Sequence, residues 1–117
     1  MKIVIPYEFK NWNDYIKVER SNKYWANNVK QQEAKIVDKH AAGMKYEGKY
    51  PVKITVTKYF DAKRQDLDNV RIKGVLDGLV KSGVIKNDNL NHIQEIVLKA
   101  EFSKDKKGIE IEIEEMG

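Results

Sequence analysis

The sequence predicts a small α+β domain, one mixed sheet with helices packed on it, in the order β-α-α-β-α-β-β. Three observations carry the prediction. Apolar residues alternate with period two at residues 3–5, 52–60, 96–102 and 109–113. Between these stretches they recur at helical spacing. No linker, repeat or low-complexity run divides the 117 residues, so one domain is expected over 1–117.

The elements follow in order. Ile3-Val4-Ile5 stops at Pro6 and reads as a short strand suited to a sheet edge. From about Asn13 to Ala42 there is neither Pro nor Gly, and Trp25, Val29, Ile36 and Val37 fall at helical spacings among lysines. Ser21-Asn22 breaks or caps this run, giving a short helix and a longer one. Gly43 and Gly48 bracket a polar turn. Val52, Ile54 and Val56 then alternate with Lys53, Thr55 and Thr57 up to Tyr59-Phe60, a half-buried strand by its β-branched content.

Residues 61–69 form a charged stretch ending in Asp68-Asn69, both good N-cap residues. Ile72, Val75, Leu76, Leu79 and Val80 make the apolar stripe of an amphipathic helix that ends at Ser82-Gly83. After a turn at Lys86–Asn89, Ile96, Leu98, Ala100 and Phe102 predict a strand. Lys106-Lys107-Gly108 turns the chain into the last one, where Ile109, Ile111 and Ile113 alternate with glutamates. Glutamates on that terminal strand suit a sheet edge, where charge discourages indiscriminate pairing. Dimer contacts through the first strand or the helices are open alternatives.

Composition narrows the chemistry. With no cysteine there is no disulfide scaffold, no Cys-ligated zinc or iron–sulfur site and no cysteine nucleophile. The apolar stretch before Pro6 is far shorter than a signal-peptide core or the roughly 20 residues of a membrane span, so a cytosolic protein without a membrane partner is expected. The formal net charge of +4 is unevenly spread. Residues 1–60 hold 12 Lys/Arg against 6 Asp/Glu, a surplus of 6 positive charges; residues 61–117 hold 10 against 12. The first half therefore suits a polyanion better than the second.

The acids of the second half are grouped. In extended backbone, carboxylates one residue apart point the same way, so Asp66 and Asp68 can face one cation. Asp88 can join them if the chain after Gly83 doubles back along the helix, as Val84-Ile85 and the turn at 87–89 allow. Such oxygens suit Mg²⁺ or Mn²⁺, which keep several waters and bind phosphate beside them. An EF-hand is excluded, because Val70 and Arg71 stand where an oxygen ligand and a glycine are required. Caps alone also account for Asp and Asn before a helix.

Lys73 and Asp77, four apart, share a helix face: an ordinary surface pair, or a lysine placed beside a metal-bound phosphate. Lys63, Arg64 and Arg71 flank the acids as candidate DNA-backbone contacts, with Lys30 a further one in the basic half. His40 and His92 lack ligand-spaced partners and read as surface or capping histidines. Core packing accounts for most of Trp12, Trp25 and the tyrosines at 15, 24 and 46; a stacking surface for nucleic acid is the lesser reading.

At Arg64-Gln65-Asp66-Leu67-Asp68-Asn69, Lys73, Leu76-Asp77-Gly78-Leu79, Gly83-Val84-Ile85 and Asn87-Asp88 the chain resembles the RusA family of Holliday junction resolvases, small endodeoxyribonucleases common in phages and prophages. Asn13–Ile16, Glu19–Asn22 and Lys30 are similar to the family's amino-terminal region. The resemblance implies that Asp66, Asp68 and Asp88 bind the metal, that Lys73 is the catalytic lysine, and that Asn69 supports the site. It also implies a homodimer that uses Mg²⁺ or Mn²⁺ to make paired nicks in a four-way junction. Position 87 is Asn where the family often has Asp, which makes Asp88 the third acid. Against this stand two other readings: a non-catalytic basic DNA-binding module, and a structural partner in a recombination or packaging complex.

Overall fold

The computed structural model describes residues 1–61 and 66–116. Lys63 and Arg64 lie outside the described residues, as does the side chain of Asp68. Among the described residues the elements are β1 (Lys2–Ile5), α1 (Trp12–Ser21), α2 (Lys23–His40), β2 (Val52–Phe60), a 3₁₀ turn (Leu67–Asn69), α3 (Lys73–Lys81), β3 (Ile93–Phe102) and β4 (Gly108–Glu115). The expected order is met.

The sheet runs β1-β4-β2-β3, with β4 antiparallel to both neighbours and β2 parallel to β3. The terminal strand is therefore not an edge: β4 lies between β1 and β2, and the edges are β1 and β3. The turn at 106–108 accordingly joins strands separated by β2. Ile109, Ile111 and Ile113 are buried, and a strand whose whole apolar face is covered gains more from two neighbours than from one. Its glutamates form part of the opposite face, where Glu112 sits beside Lys2 of β1.

Helices α2 and α3 cover the apolar face. Ile3 and Ile5, Ile54 and Val56, and the β4 isoleucines meet Val37 and Ala41 from α2, Val75 and Leu79 from α3, and Val84-Ile85 beyond it. Each fully buried aliphatic side chain contributes about 1.5–3 kcal/mol. Close approach of α3 to α2 depends on Gly74 and Gly78, one turn apart. A Cβ at Gly78 would lie 2.6 Å from Val37 Cβ, and one at Gly74 would lie 2.6 Å from a Glu33 carboxylate oxygen. Side chains there would push the helices apart.

Asn22 makes the break between α1 and α2. In extended conformation (φ −167°, ψ 116°) it donates its N–H to Val18 O, closing α1, and its side-chain oxygen accepts from Tyr24 N at 2.9 Å, opening α2. At the other end of α1, the Asn11 side chain accepts from Asp14 N at 2.8 Å.

The start of α3 differs from expectation. The Asp68-Asn69 pair does not cap it. Residues 67–69 form a separate 3₁₀ turn, Val70 is extended, and the helix begins at Lys73 without a side-chain cap on Ile72. Asn69 instead turns its Oδ1 to Asn13 N at 3.1 Å, supplying an acceptor to the first turn of α1. The turn that carries the acids is thereby tied to a helix more than fifty residues earlier.

Candidate active site

Lys73 stands at the first position of α3, and its Nζ lies 3.2 Å from Asp77 Oδ1 and 3.9 Å from Asp88 Oδ2. The pair with Asp77 is set by helix geometry alone. Asp88 reaches the same ammonium because the chain reverses after α3: Val84 N and Ile85 N both donate back to Leu79 O, while the Val84 and Ile85 side chains are buried in the core. The doubling back that would return Asp88 to the start of the helix is thus present.

The turn that presents Asp88 is shaped by its asparagines. Asn87 Oδ1 accepts from Asp88 N at 2.7 Å and Asn89 N at 3.2 Å, and Asn89 Oδ1 accepts from Asn91 N at 3.1 Å. His92 Nδ1 lies 2.7 Å from Asn89 Oδ1, so this histidine serves the turn, while His40 Nδ1 meets Ile36 O one helical turn back.

Asp66 is exposed and lines a hollow of about 480 Å³ together with Glu8, Asn13, Asp14, Lys58 and Asn69. Lys58 and Glu8 pair there, and Glu8 Oε1 accepts from Gly108 N at 3.1 Å; Asp14 and Asp66 are the other carboxylates of the lining, and Asp66 directly precedes the Leu67–Asn69 turn. Among the described residues, no three His, Asp or Glu side chains are grouped closely enough to hold one ion. The side chain of Asp68, two residues from Asp66, is outside that set. The donors that are described fit Mg²⁺ in kind: exposed carboxylate oxygens, hard and accessible to water.

Arg71 departs from its expected role as a DNA contact. It is 4% exposed. Its guanidinium makes a bidentate pair with Glu33, at 2.9 and 2.6 Å, donates to Lys10 O at 3.0 Å, and lies 4.0 Å from the centre of the Tyr15 ring and 5.7 Å from that of Trp12. A charge so enclosed has no face open to phosphate. It joins α1, α2 and the segment between Asn69 and Lys73. Glu33 was not singled out from the sequence, yet a signal exists: it shares the inward face of α2 with Ala26, Ala34 and Val37, and a carboxylate on an apolar face needs a buried partner.

Lys30 is exposed on α2, its Nζ 5.7 Å from the Tyr15 ring centre. The aromatics divide otherwise than expected: Tyr15 is buried, but Trp12, Tyr24 and Trp25 are exposed along α1 and α2.

Lys73, Asp77 and Asp88 thus stand together as an exposed lysine bracketed by two carboxylates, while Asp66 lines the hollow beside Asn69. The family model described as Endodeoxyribonuclease RusA matches residues 2–114, and the chain belongs to that family. It is accordingly a nuclease of the Holliday junction resolvase class, with branched DNA as the partner that class implies. No curated protein matches the chain significantly.

Proposed function

We propose that the protein is a Mg²⁺-dependent, structure-selective endodeoxyribonuclease that resolves four-way DNA by paired symmetric nicks in recombination and repair. It acts in the cytoplasm of a bacterial host, encoded there or by a phage or prophage. The observation that supports this most is the position of Lys73 between Asp77 and Asp88, in a chain of the RusA family.

In this reading Asp66, Asp68 and Asp88 hold the ion, and Mn²⁺ can replace Mg²⁺. When bound, the cation polarises the scissile phosphate and acidifies water beside it. The chain's own groups do the rest. Lys73 neutralises charge that develops on the phosphodiester, and Asp77 keeps its ammonium near the helix start. Asn69 fixes the acidic turn against α1. Lys30, with Lys63 and Arg64, holds the neighbouring backbone, because carboxylates alone would repel DNA. Two cuts in opposing strands call for two sites related by a twofold axis, hence a homodimer.

A salt titration separates this reading from a basic module that binds any DNA. Binding to a four-way junction and to a duplex of equal length is measured by gel shift as salt rises. Affinity for the duplex is expected to fall steeply, since backbone contacts release counterions, while preference for the junction persists. Equal loss for both substrates would contradict structure selectivity.

A further inference from the structure

The turn that carries Asp88 runs through six consecutive exposed residues, 86–91, between buried Ile85 and buried Ile93. Its asparagines give it a shape, but a run with no side chain in the core takes its position from what holds its two ends. Both ends meet one side chain. On the leading side, Lys86 N donates to Tyr50 Oη at 3.1 Å, and Lys86 Nζ lies 5.7 Å from the centre of the Tyr50 ring. On the trailing side, the His92 ring packs edge-on against the same tyrosine, with centroids 4.9 Å apart, while His92 Nδ1 meets Asn89 Oδ1 inside the turn. Tyr50 is itself half-buried against the core, and Tyr46 backs it: their rings meet edge-on at 5.4 Å, and Tyr46 N donates to Val84 O at 2.8 Å.

We propose that Tyr50 is a positioning residue for Asp88: by gripping Lys86 and His92 it fixes where the turn sits, and so holds the Asp88 carboxylate at its 3.9 Å approach to the Lys73 ammonium. The proposal rests on the reading of Asp88 as a metal-binding acid. Tyr50 acts through the turn and not on the reacting atoms. Groups that orient a metal-binding side chain from behind set its affinity for the ion, because a carboxylate free to wander must be ordered each time the ion binds. The hydroxyl and the ring have separate tasks. Loss of the hydroxyl frees the Lys86 end alone, whereas loss of the whole side chain also removes the surface on which His92 and the Lys86 ammonium rest.

Two readouts test this on the full chain: Mn²⁺ binding without DNA, followed by electron paramagnetic resonance of the free ion, and the Mg²⁺ concentration that half-saturates junction cleavage. The variants are Tyr50→Phe, Tyr50→Ala, Asp88→Asn and the double variant Tyr50→Ala/Asp88→Asn, with circular dichroism to verify folding. Tyr50→Ala is expected to weaken Mn²⁺ binding by at least about tenfold and to raise the Mg²⁺ requirement in step. Tyr50→Phe should lose about fivefold, the effect of one hydrogen bond, and it carries the test alone if Tyr50→Ala does not fold. In the Asp88→Asn background Tyr50→Ala should weaken binding no further, because the effect runs through that carboxylate. Wild-type Mn²⁺ affinity in both folded Tyr50 variants, or an equal loss with and without Asp88, would overturn the proposal while leaving the reading of Asp88 intact. Wild-type metal binding and cleavage by Asp88→Asn would overturn that reading, and the proposal with it.

Discussion

Asp88→Asn is expected to lower Mg²⁺-supported cleavage of a four-way junction by at least about a hundredfold, with junction binding unchanged or tighter. The magnitude is that of removing one preorganised electrostatic group from a transition state, about 10²–10³. Direction follows from the site. Asp88 stands on an exposed turn whose shape depends on Asn87 and Asn89, so its loss spares the fold. Removing a negative charge also lessens repulsion of the phosphate backbone, which is why affinity should not fall. Asp68→Asn is expected to act the same way. Nicking and gel-shift assays on one protein preparation measure both quantities, and cleavage by Asp88→Asn at the wild-type rate would remove Asp88 from the metal-binding set.

The second large effect lies in the buried pair. Glu33→Ala leaves the Arg71 guanidinium uncompensated inside the protein, at a cost of about 3–5 kcal/mol. A domain of this kind is stable by about 5–15 kcal/mol, so urea unfolding should show a greatly lowered midpoint or a protein that no longer folds. The double variant Glu33→Leu/Arg71→Met removes both charges and should recover much of the loss, since an apolar pair carries no desolvation penalty. If Glu33→Ala unfolded at the wild-type midpoint, Arg71 would not depend on Glu33. Gly74 belongs to the same feature, because a side chain there would press on the Glu33 carboxylate. Arg71 lies in the chain between Asp66 and Lys73, so the pair anchors to α2 the segment that joins them.

Element order was legible because period is a local property. The two-residue alternation at 52–60 and the stripe from Ile72 to Val80 each describe one segment, and both segments formed; but β2, read as half-buried, has Thr55 and Tyr59 buried on its second face as well, because it lies inside the sheet. Strand order was not legible. Nothing local in Ile109–Ile113 distinguishes an interior strand with one glutamate face from an edge strand with the same face; the difference lies in what pairs with it. The start of α3 was misplaced for a related reason. Asp68 and Asn69 have the chemistry of caps, but Asn69 finds its donor on Asn13, and Arg71 is drawn inward to Glu33, which leaves the helix to begin at Lys73.

Within the site, Lys73–Asp77 was readable from a spacing of four, and the approach of Asp88 from the reversal after Gly83. The role of Arg71 was not. Among basic residues flanking acids it looks like its neighbours, and only Glu33, nearly forty positions earlier, marks it as a buried charge. The exposure of Ile96 and Phe102 on β3 was equally hidden, since alternation reports an apolar face without reporting whether the protein's own helices cover it.

In the proposed reading these acids and Lys73 make a cation-dependent nuclease for branched DNA. End-labelled mobile four-way junction, incubated with the purified protein and resolved on a sequencing gel, tests it most directly. Two symmetric nicks in opposing strands are expected with Mg²⁺ or Mn²⁺, none without a divalent cation, and an intact linear duplex. Junctions left whole across both cations, or a duplex cut as freely as the junction, would contradict it.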